Sequence, residues 1–417
     1  MSPATNCAWT EGSPRGEPRR LYGVVKHLTL ALVAMVIYGA LHIPLGRIPV
    51  ANGAGWDGID YVAMLDKGWK AGGPNTQLRP LVVWLTQPAY LVTGSPAQAF
   101  DVTNYAFTGL LAFLFSRLME WYGATSLARW IAIVCISVSN AYRLPAYYPV
   151  LIDLGGHAMM ALAVWHVIAG PRWAAGTASI AAVLSREYAP VVLIFGAWRD
   201  RRLHVPLQTI LATYLPAALI YVLVRLVVDT RSTAEGNTLQ TFIRNMGLWI
   251  GPLFPAFFVY FLLTIAGGVS LVLAAQPRRW WRVIREEPEW LGFALPIIVV
   301  TALVGIDIWR YLTALTPLIV VLFARCSQEW RPRQATVMMS AVIVLTLVTQ
   351  MPFQRMDLTR YFTEWFPYYA WTNTAPGDVT RSMLWPGWTW RFVAVSLALC
   401  ALIVYANGRG RTTVVAT

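Results

Sequence analysis

The sequence has little charge and few cysteines. Only 13% of its 417 residues are charged, whereas a soluble domain carries about a quarter, and this shortage excludes an ordinary soluble fold. The four cysteines, Cys7, Cys135, Cys326 and Cys400, have neither paired nor metal-type spacing, so we expect neither a disulfide framework nor a zinc site. A Gly-rich phosphate loop, a Ser/His/Asp set and a nucleotide fingerprint are also missing, which leaves an ATP or nucleotide-sugar site without support.

The sequence is rich in apolar residues. They make up 57% of the chain, and the mean hydropathy is +0.52. This is enough for roughly a dozen membrane spans of about 20 residues. No polar stretch reaches the ~50 residues that a separate soluble domain needs. The sequence therefore predicts an all-α, polytopic transmembrane helical bundle of about 12 spans.

Basic residues predict the sidedness of this bundle. The net charge of +13 is more typical of cytoplasmic loop bias than of nucleic-acid binding, so no nucleic-acid partner is expected. Clusters of arginines, which are typical of cytoplasmic loops, follow residue 198 and lie at 278–285, at 325–333 and at the C-terminus. We predict a multi-pass protein of the cytoplasmic membrane with both termini in the cytoplasm. Its parts are a basic tail at 1–26, one integral membrane domain at 27–408 with outer loops 46–79, 229–250 and 352–388, and a tail at 409–417.

Two topologies fit the apolar pattern between 80 and 198. In the first, 80–96 lies along the outer surface, 117–129 and 172 are cytoplasmic, and 173–198 is a pair of short helices meeting at the polar break SREYAP. In the second, 80–96 crosses the membrane and 173–198 is a single span, which inverts only 97–172. We prefer the first, because it places Arg117, Arg129 and Arg172 inside.

The outer loops are long and rich in aromatic residues. Loops above about 12–15 residues are usually functional or disordered, and the aromatic content argues against disorder. In the third loop, aromatic rings offer stacking faces for a sugar, although interfacial belts use the same residue types. These residues are Trp365, Tyr368, Tyr369, Trp371, Trp385 and Trp388.

The first candidate motif is WDGIDYVAMLDKGW, at the outer end of the first span. Asp57 and Asp60 share a face if this piece is helical, and Asp66 follows. A carboxylate partly withdrawn from water there could act as a general base on a hydroxyl. The alternative is that these acids are solvated in a loop.

Two further motifs place arginines beside apolar stretches. Arg79 precedes Pro80, a favourable first helical residue, and could face a phosphate or simply anchor a helix end. Arg186 and Glu187 interrupt an apolar stretch. Because ionisable groups in a membrane segment cost roughly 2.5–3.5 kcal/mol on insertion scales, they either pair to pack helices or bind an anionic headgroup.

The last two candidates lie beside later apolar runs. Arg310 and Tyr311 follow Asp307, and the guanidinium could hold a lipid phosphate or form a salt bridge in a tight turn. Asp153 and His157 are four apart and could face one way on a helix. The pair is too small a set for a metal site.

The order of these motifs resembles the GT-C superfamily of polytopic glycosyltransferases, which use polyprenyl-phosphate sugars. Its bacterial members have a "YDG" first loop, an "R..lLPll" stretch, a "TRE" midway and an "R.l.pl.P" near a late span. The matching residues here are Trp56-Asp57-Gly58 with Tyr61, Arg79-Pro80-Leu81, Ser185-Arg186-Glu187, and Arg310-Tyr311-Leu312 with Pro317. The chain departs from the pattern where tryptophan replaces an aromatic hydroxyl residue, serine replaces threonine, and proline directly follows Arg79.

The resemblance implies a GT-C-like bundle with a long first outer loop, an outward-facing reaction centre and inverting transfer. The donor would be a polyprenyl-phosphate sugar in the membrane lipid, and the acceptor a hydroxyl on a glycan, lipid or protein. By resemblance Asp57 is the catalytic base and Asp153 a second acid. The resemblance makes no cofactor certain, and a divalent cation stays open.

The remaining roles follow from the expected mechanism. Arg186 and Arg310 would offset charge on the leaving phosphate, and Glu187 would orient Arg186. The full set of predicted substrate-binding residues is Asp60, Arg79, Asp153, Arg186, Glu187, Arg310 and Tyr311.

Two other functions remain open at this stage. A lipid or small-solute transporter or flippase would also suit twelve crossings and buried Arg and Glu. The absence of an internal repeat and the long aromatic outer loops count against it. A catalytically silent family member serving assembly of an envelope complex is the third alternative.

Overall fold

The structure, a computed structural model, describes residues 17–228, 253–303, 308–357 and 380–408, with isolated helical positions at 243, 246 and 249. These parts of the chain contain α-helices, short 3-10 turns and no β-strand. The predicted all-α class is confirmed for them. The second and third outer loops fall largely outside the described residues, as do the third-loop aromatic side chains named above.

The α-helices of the described ranges are numbered here in chain order. They are α1 (Glu17–Leu45), α2 (Gly55–Lys67), α3 (Pro74–Gln77), α4 (Pro80–Thr93), α5 (Pro96–Trp121), α6 (Ser126–Ser137), α7 (Asn140–Tyr147), α8 (Asp153–Ala169), α9 (Arg172–Val183), α10 (Val191–Arg202), α11 (Leu207–Val227), α12 (Leu253–Thr264), α13 (Gly268–Ala274), α14 (Pro277–Glu286), α15 (Glu289–Leu303), α16 (Ile308–Leu312), α17 (Thr316–Gln328), α18 (Pro332–Gln350) and α19 (Thr380–Gly408).

Five of these segments are long and apolar enough to cross a membrane. They are Val24–Leu45, Leu207–Val227, Ile308–Gln328, Pro332–Gln350 and Trp390–Asn407. The pair α12 and α13, bent by 103°, adds a sixth if it forms one span. The part of the chain that the structure describes is thus helical, with five to six candidate spans, fewer than the apolar runs suggested. Several of those runs form shorter helices, as where 127–141 divides into α6 and the start of α7.

Polar contacts gather several helix ends at one end of the bundle, here called the basic end. It contains the C-terminal ends of α5, α10 and α17, the N-terminal ends of α6 and α9, and all of α14. The contacts that join them are Arg129 to Glu120 (3.3 Å), Tyr122 to Glu287 (2.6 Å), Arg172 to Asp200 (3.7 Å), Arg199 to Glu289 (3.0 Å) and Arg325 to Glu286 (3.1 Å). Segments 117–129 and 172 therefore lie beside 199–202, as the first of the two topologies requires.

The opposite end, here called the site end, collects the first loop, the start of α4, the start of α8, the SREYAP break and α16. The break is real: α9 stops at Val183 and α10 begins at Val191, as the first topology predicted. The backbone N–H of Leu81 donates to the carbonyl of Leu184 at 3.2 Å, which ties the start of α4 to this break. The apolar core between the two ends is continuous.

Candidate functional site

The first-loop motif is helical from Gly55 to Lys67, so Asp57 and Asp60 lie on one face of α2, with Asp57 in its first turn. The Asp57 side chain is 54% exposed, and its Oδ2 lies 3.5 Å from Nη1 of Arg310. An acid in the first helical turn is stabilised by the exposed backbone N–H groups of that turn. The carboxylate therefore stands at the water-accessible rim of the arginine cluster.

Two glycines let a tyrosine fix the start of α2. A Cβ on Gly55 would come within 2.1 Å of the Tyr148 ring, and Gly55 has a φ of +67°. The N–H of Gly58 donates to the Tyr148 hydroxyl at 3.0 Å. Tyr148 thus packs across the turn that carries Asp57. Its own signal in the sequence is too weak to single it out, since it is one of several tyrosines near residue 147.

Behind Asp57, a buried carboxylate holds two guanidinium groups. Asp153, at the start of α8, is 2% exposed. Its oxygens accept from Nε of Arg310 at 3.0 and 3.2 Å and from Nη2 at 2.9 Å, and it also pairs with Arg186. Buried charges persist only when they are paired and hydrogen-bonded. One carboxylate facing two guanidiniums leaves one positive charge directed toward Asp57.

A second ion pair borders this group. Nη2 of Arg79 donates to Oε1 of Glu187 at 2.8 Å, and Nε lies 2.7 Å from Oε2. The remaining Arg79 nitrogen donates to the Tyr61 hydroxyl at 3.2 Å, and the Tyr311 hydroxyl donates to Glu187 at 3.2 Å. Arg79 is therefore part of the cluster rather than a simple helix anchor.

The expected partner of Arg186 needs correction. We predicted that Glu187 would orient it, but Asp153 is the carboxylate that pairs with Arg186, while Glu187 pairs with Arg79. Neighbouring residues in the break between α9 and α10 direct their side chains apart. Arg186 and Glu187 thereby pair with different side chains. Because they are neighbours in the chain, their shared backbone joins the two ion groups.

Small and aromatic residues support the arginine groups from behind. A Cβ on Gly156 would lie 2.5 Å from Cγ of Arg186, so this glycine lets the arginine cross the face of α8 to Asp153. Tyr188 lies with its ring 5.5 Å from the Arg186 guanidinium, and its hydroxyl pairs with Nε2 of His157 at 3.0 Å. The Asp153 and His157 pair thus shares one side of α8, and both residues contact Arg310, Asp153 through the guanidinium and His157 through the backbone.

One basic residue near the site was missed. Arg225, near the end of α11, stacks over the ring of Tyr221 at 3.5 Å, and the Tyr221 hydroxyl donates to the backbone carbonyl of Glu187 at 2.8 Å. Arg225 is half-buried and has no acidic ion-pair partner among the described residues. A lone arginine within the apolar run 206–228 was the signal that could have found it.

The other acids of the first loop contact different groups. Asp60 is half-buried against the backbone of Gly73, where a Cβ would lie 2.4 Å from its Oδ2. Burial raises the pKa of the Asp60 carboxyl; the hydrogen bond from the Gly73 backbone lowers it, and the Asp57 charge raises it. Asp66 is exposed and accepts from Tyr90 at 3.0 Å. Asp57 is therefore the first-loop acid that meets the arginines.

Among the residues that the structure describes, the donor set around Arg310 does not suit a divalent cation. The described residues contain no group of three or more His, Cys, Asp or Glu side chains that could hold a metal. Both carboxylates nearest the rim, Asp57 and Asp153, already face Arg310, whose charge repels a cation. Asp307, the proposed tight-turn partner of Arg310, lies outside the described residues.

The arrangement suits recognition of an anion beside a solvated base. Guanidinium groups hold phosphate oxygens through paired N–H donors, and an exposed carboxylate next to them can accept a proton. Six of the predicted residues, Asp57, Arg79, Asp153, Arg186, Glu187 and Arg310, lie in these two adjoining ion groups, with Tyr311 between them. In comparisons with known proteins, neither a protein-family model, nor a curated sequence, nor a solved structure matches this chain.

Proposed function

We propose that the chain is a membrane glycosyltransferase that moves a sugar from a polyprenyl-phosphate donor to an acceptor hydroxyl. The observation that carries the proposal is the position of Asp57, at an exposed rim 3.5 Å from Arg310 and directly in front of buried, paired guanidiniums. A base in water beside a phosphate-binding group is what such a transfer needs.

The proposed step is a direct displacement. Asp57 removes the proton of the acceptor hydroxyl while that oxygen forms a bond to the anomeric carbon. The bond from that carbon to the phosphate oxygen breaks, and the polyprenyl phosphate leaves with inversion at carbon. Arg310 and Arg186, fixed by Asp153, offset the negative charge that grows on the phosphate. Preorganised groups of this kind contribute several kcal/mol in other enzymes.

The lipid part of the donor suits the surroundings of Arg225. Helix α11 carries this arginine on a segment whose apolar side chains are largely exposed, including Leu219, Leu223 and Leu226. A polyprenyl chain lying against that surface brings its phosphate toward Arg225 and Arg79. In this proposal the donor reaches the site from the bilayer, and the acceptor reaches Asp57 from water.

The full topology belongs to the same proposal. About twelve crossings of roughly 20 residues, cytoplasmic termini and a reaction centre on the outer face of the cytoplasmic membrane would put the basic end inside. The acceptor is a glycan, a lipid or a protein on that outer face. Support comes from the separation between the site end and the basic end of the bundle.

The test is mass spectrometry of lipid-linked sugars and envelope glycans, with and without the gene. Loss of the gene should raise one polyprenyl-phosphate sugar and remove one glycan modification, which identifies donor and acceptor together. A gene copy carrying Asp57→Asn should reproduce the loss, because the amide cannot take the proton. The matched control is Asp66→Asn, the same substitution on the same helix, which should restore the modification.

The result also separates the competing functions. Restoration by Asp57→Asn would contradict the role of this acid. A transporter would change the location of a substrate without consuming it. If the protein were a purely structural member of an envelope complex, any Asp57 variant that accumulates to the normal level would restore the lost modification.

A further inference from the structure

Helix α14 carries a basic face that the proposed function does not use. Four of its exposed residues, Arg278, Trp281, Arg282 and Arg285, are here called the arginine face; Pro277 and Glu286 are exposed beside them. The spacing of three, four and seven within the arginine face puts its residues on one side of the helix. Val283 and Ile284 are buried on the other side. The helix is therefore amphipathic, with arginine and tryptophan side chains on its exposed side and aliphatic side chains on its buried side.

The acids near α14 are already engaged. Glu286 pairs with Arg325 at 3.1 Å, and Glu329 pairs with Arg282 at 3.0 Å and with Arg279 at 3.3 Å. Arg278 and Arg285 are exposed and have no acidic partner among the described residues. The arginine face thus presents a surplus of positive charge.

The place of α14 in the chain sets what this face can meet. It connects the bent pair of α12 and α13 to α15, whose exposed Leu295 and Val299 suit contact with lipid. It also lies at the basic end, where α17 finishes. A ten-residue amphipathic helix that connects apolar segments has the pattern of a helix that lies at the level of the lipid headgroups.

Trp281 favours lipid over other anions. It is 46% exposed between arginines, and a large ring in that position would lose apolar contact in water. Tryptophan is enriched at the level of the headgroups, where one part of the ring is apolar and its N–H is wet. A solvated surface for nucleic acid or for an acidic protein needs no apolar ring there.

We propose that the arginine face binds the headgroups of anionic lipids in the membrane leaflet at the basic end. The guanidiniums of Arg278 and Arg285 contact lipid phosphates, and Trp281 inserts between the headgroups. This binding surface is independent of the site around Asp57, which lies at the other end of the bundle.

Native mass spectrometry of the full-length protein, offered equal phosphatidylglycerol and phosphatidylcholine, tests this proposal. The natural chain should retain phosphatidylglycerol in preference. In R278Q/R285Q, each lost guanidinium should lower that preference about fivefold. The matched control R331Q/R333Q removes two exposed arginines at the same end without an intervening exposed tryptophan, and it should lower the preference less.

The other readouts separate lipid contact from simple charge. Trp281→Ala keeps every charge, yet it should lower retention of phosphatidylglycerol, whereas a merely solvated face would leave it unchanged. Equal losses in the two arginine pairs would overturn the proposal, since only net charge would then matter. Displacement of the lipid by equimolar inorganic phosphate would also overturn it, because that result describes a free-anion site. An unchanged thermal midpoint confirms that the variants are folded.

Discussion

The shared carboxylate of Asp153 determines what each arginine can do. Its bidentate contact with Arg310 and its pair with Arg186 immobilise both guanidiniums, so they meet a ligand without further ordering. Removing one partner of a buried pair usually costs about 3–5 kcal/mol, because the other charge is left unpaired. Asp57 lies exposed at the rim, so its replacement does not leave a buried charge unpaired.

These residue types could be selected from the sequence, but their partners could not. A charged residue in an apolar segment is costly wherever it points, and this general rule singled out Arg186 and Glu187. Arg310 was selected as a guanidinium between two apolar runs, where it could hold a lipid phosphate. Which acid meets which arginine depends on how α8, α16 and the SREYAP break pack together. The same limit explains why Tyr148 was missed and why Glu187 was assigned to the wrong arginine.

Arg225 supplies a prediction at the scale of one residue. If it contacts the donor phosphate, Arg225→Gln should raise the KM for the lipid-linked donor by roughly 10- to 150-fold, because a charged hydrogen bond is worth about 1.5–3 kcal/mol. The kcat should change little. Steady-state kinetics of the purified protein measures both, with Arg225→Lys as the charge-conserving comparison. A fall in kcat at constant KM would argue for a different role.

Helix boundaries at the site end follow local rules that the sequence displays. Pro80 opens α4 at its first residue, where a missing N–H costs nothing, and the polar break separates α9 from α10. The bend of 103° between α12 and α13 was not foreseen. The apolar run 251–275 looks continuous in the sequence. The residues at the bend, such as Gly267, also occur in uninterrupted membrane helices, so their types do not reveal the bend.

Gly55 tests how tightly Tyr148 fixes the start of α2. Gly55→Ala combines a strained positive φ with a clash against the Tyr148 ring, and it should lower the free energy of unfolding by about 2–4 kcal/mol. Gly94→Ala is the matched control, because Gly94 has a φ of +62° but nothing within 4 Å of the added Cβ. It should cost about 1–2 kcal/mol. Thermal or denaturant unfolding in detergent compares the two, and equal losses would remove the special role of Tyr148.

At the scale of the whole molecule, charge separates the two ends of the bundle. The basic end collects arginines from α9, α10, α14 and α17, while the site end places acids and arginines in near balance. Loop charge bias predicted that these basic segments lie together, and which end faces the cytoplasm stays a prediction. The number of crossings was harder to predict, because composition does not distinguish a full span from a shorter buried helix.

Sidedness is testable with an impermeant maleimide on intact cells. Asn52→Cys, exposed near the start of α2, should be labelled from outside, and Arg331→Cys, exposed at the basic end, should be labelled only after the membrane is opened. Both variants are made in a chain whose exposed Cys400 and N-terminal Cys7 are serine. Labelling of Arg331→Cys alone from outside would reverse the assigned orientation. Labelling of both positions from outside would contradict the placement of the two ends on opposite sides of the membrane.

The role of Asp57 is most directly tested by separating donor binding from transfer in the purified, reconstituted protein. Asp57→Asn should bind the lipid-linked donor about as well as the natural chain, because Arg186 and Arg310 stay paired with Asp153. Sugar transfer in a single turnover should fall by about 10²–10⁴-fold, the usual contribution of a general base. Undiminished transfer by Asp57→Asn, or passage of unmodified donor across the bilayer without transfer, would contradict the account.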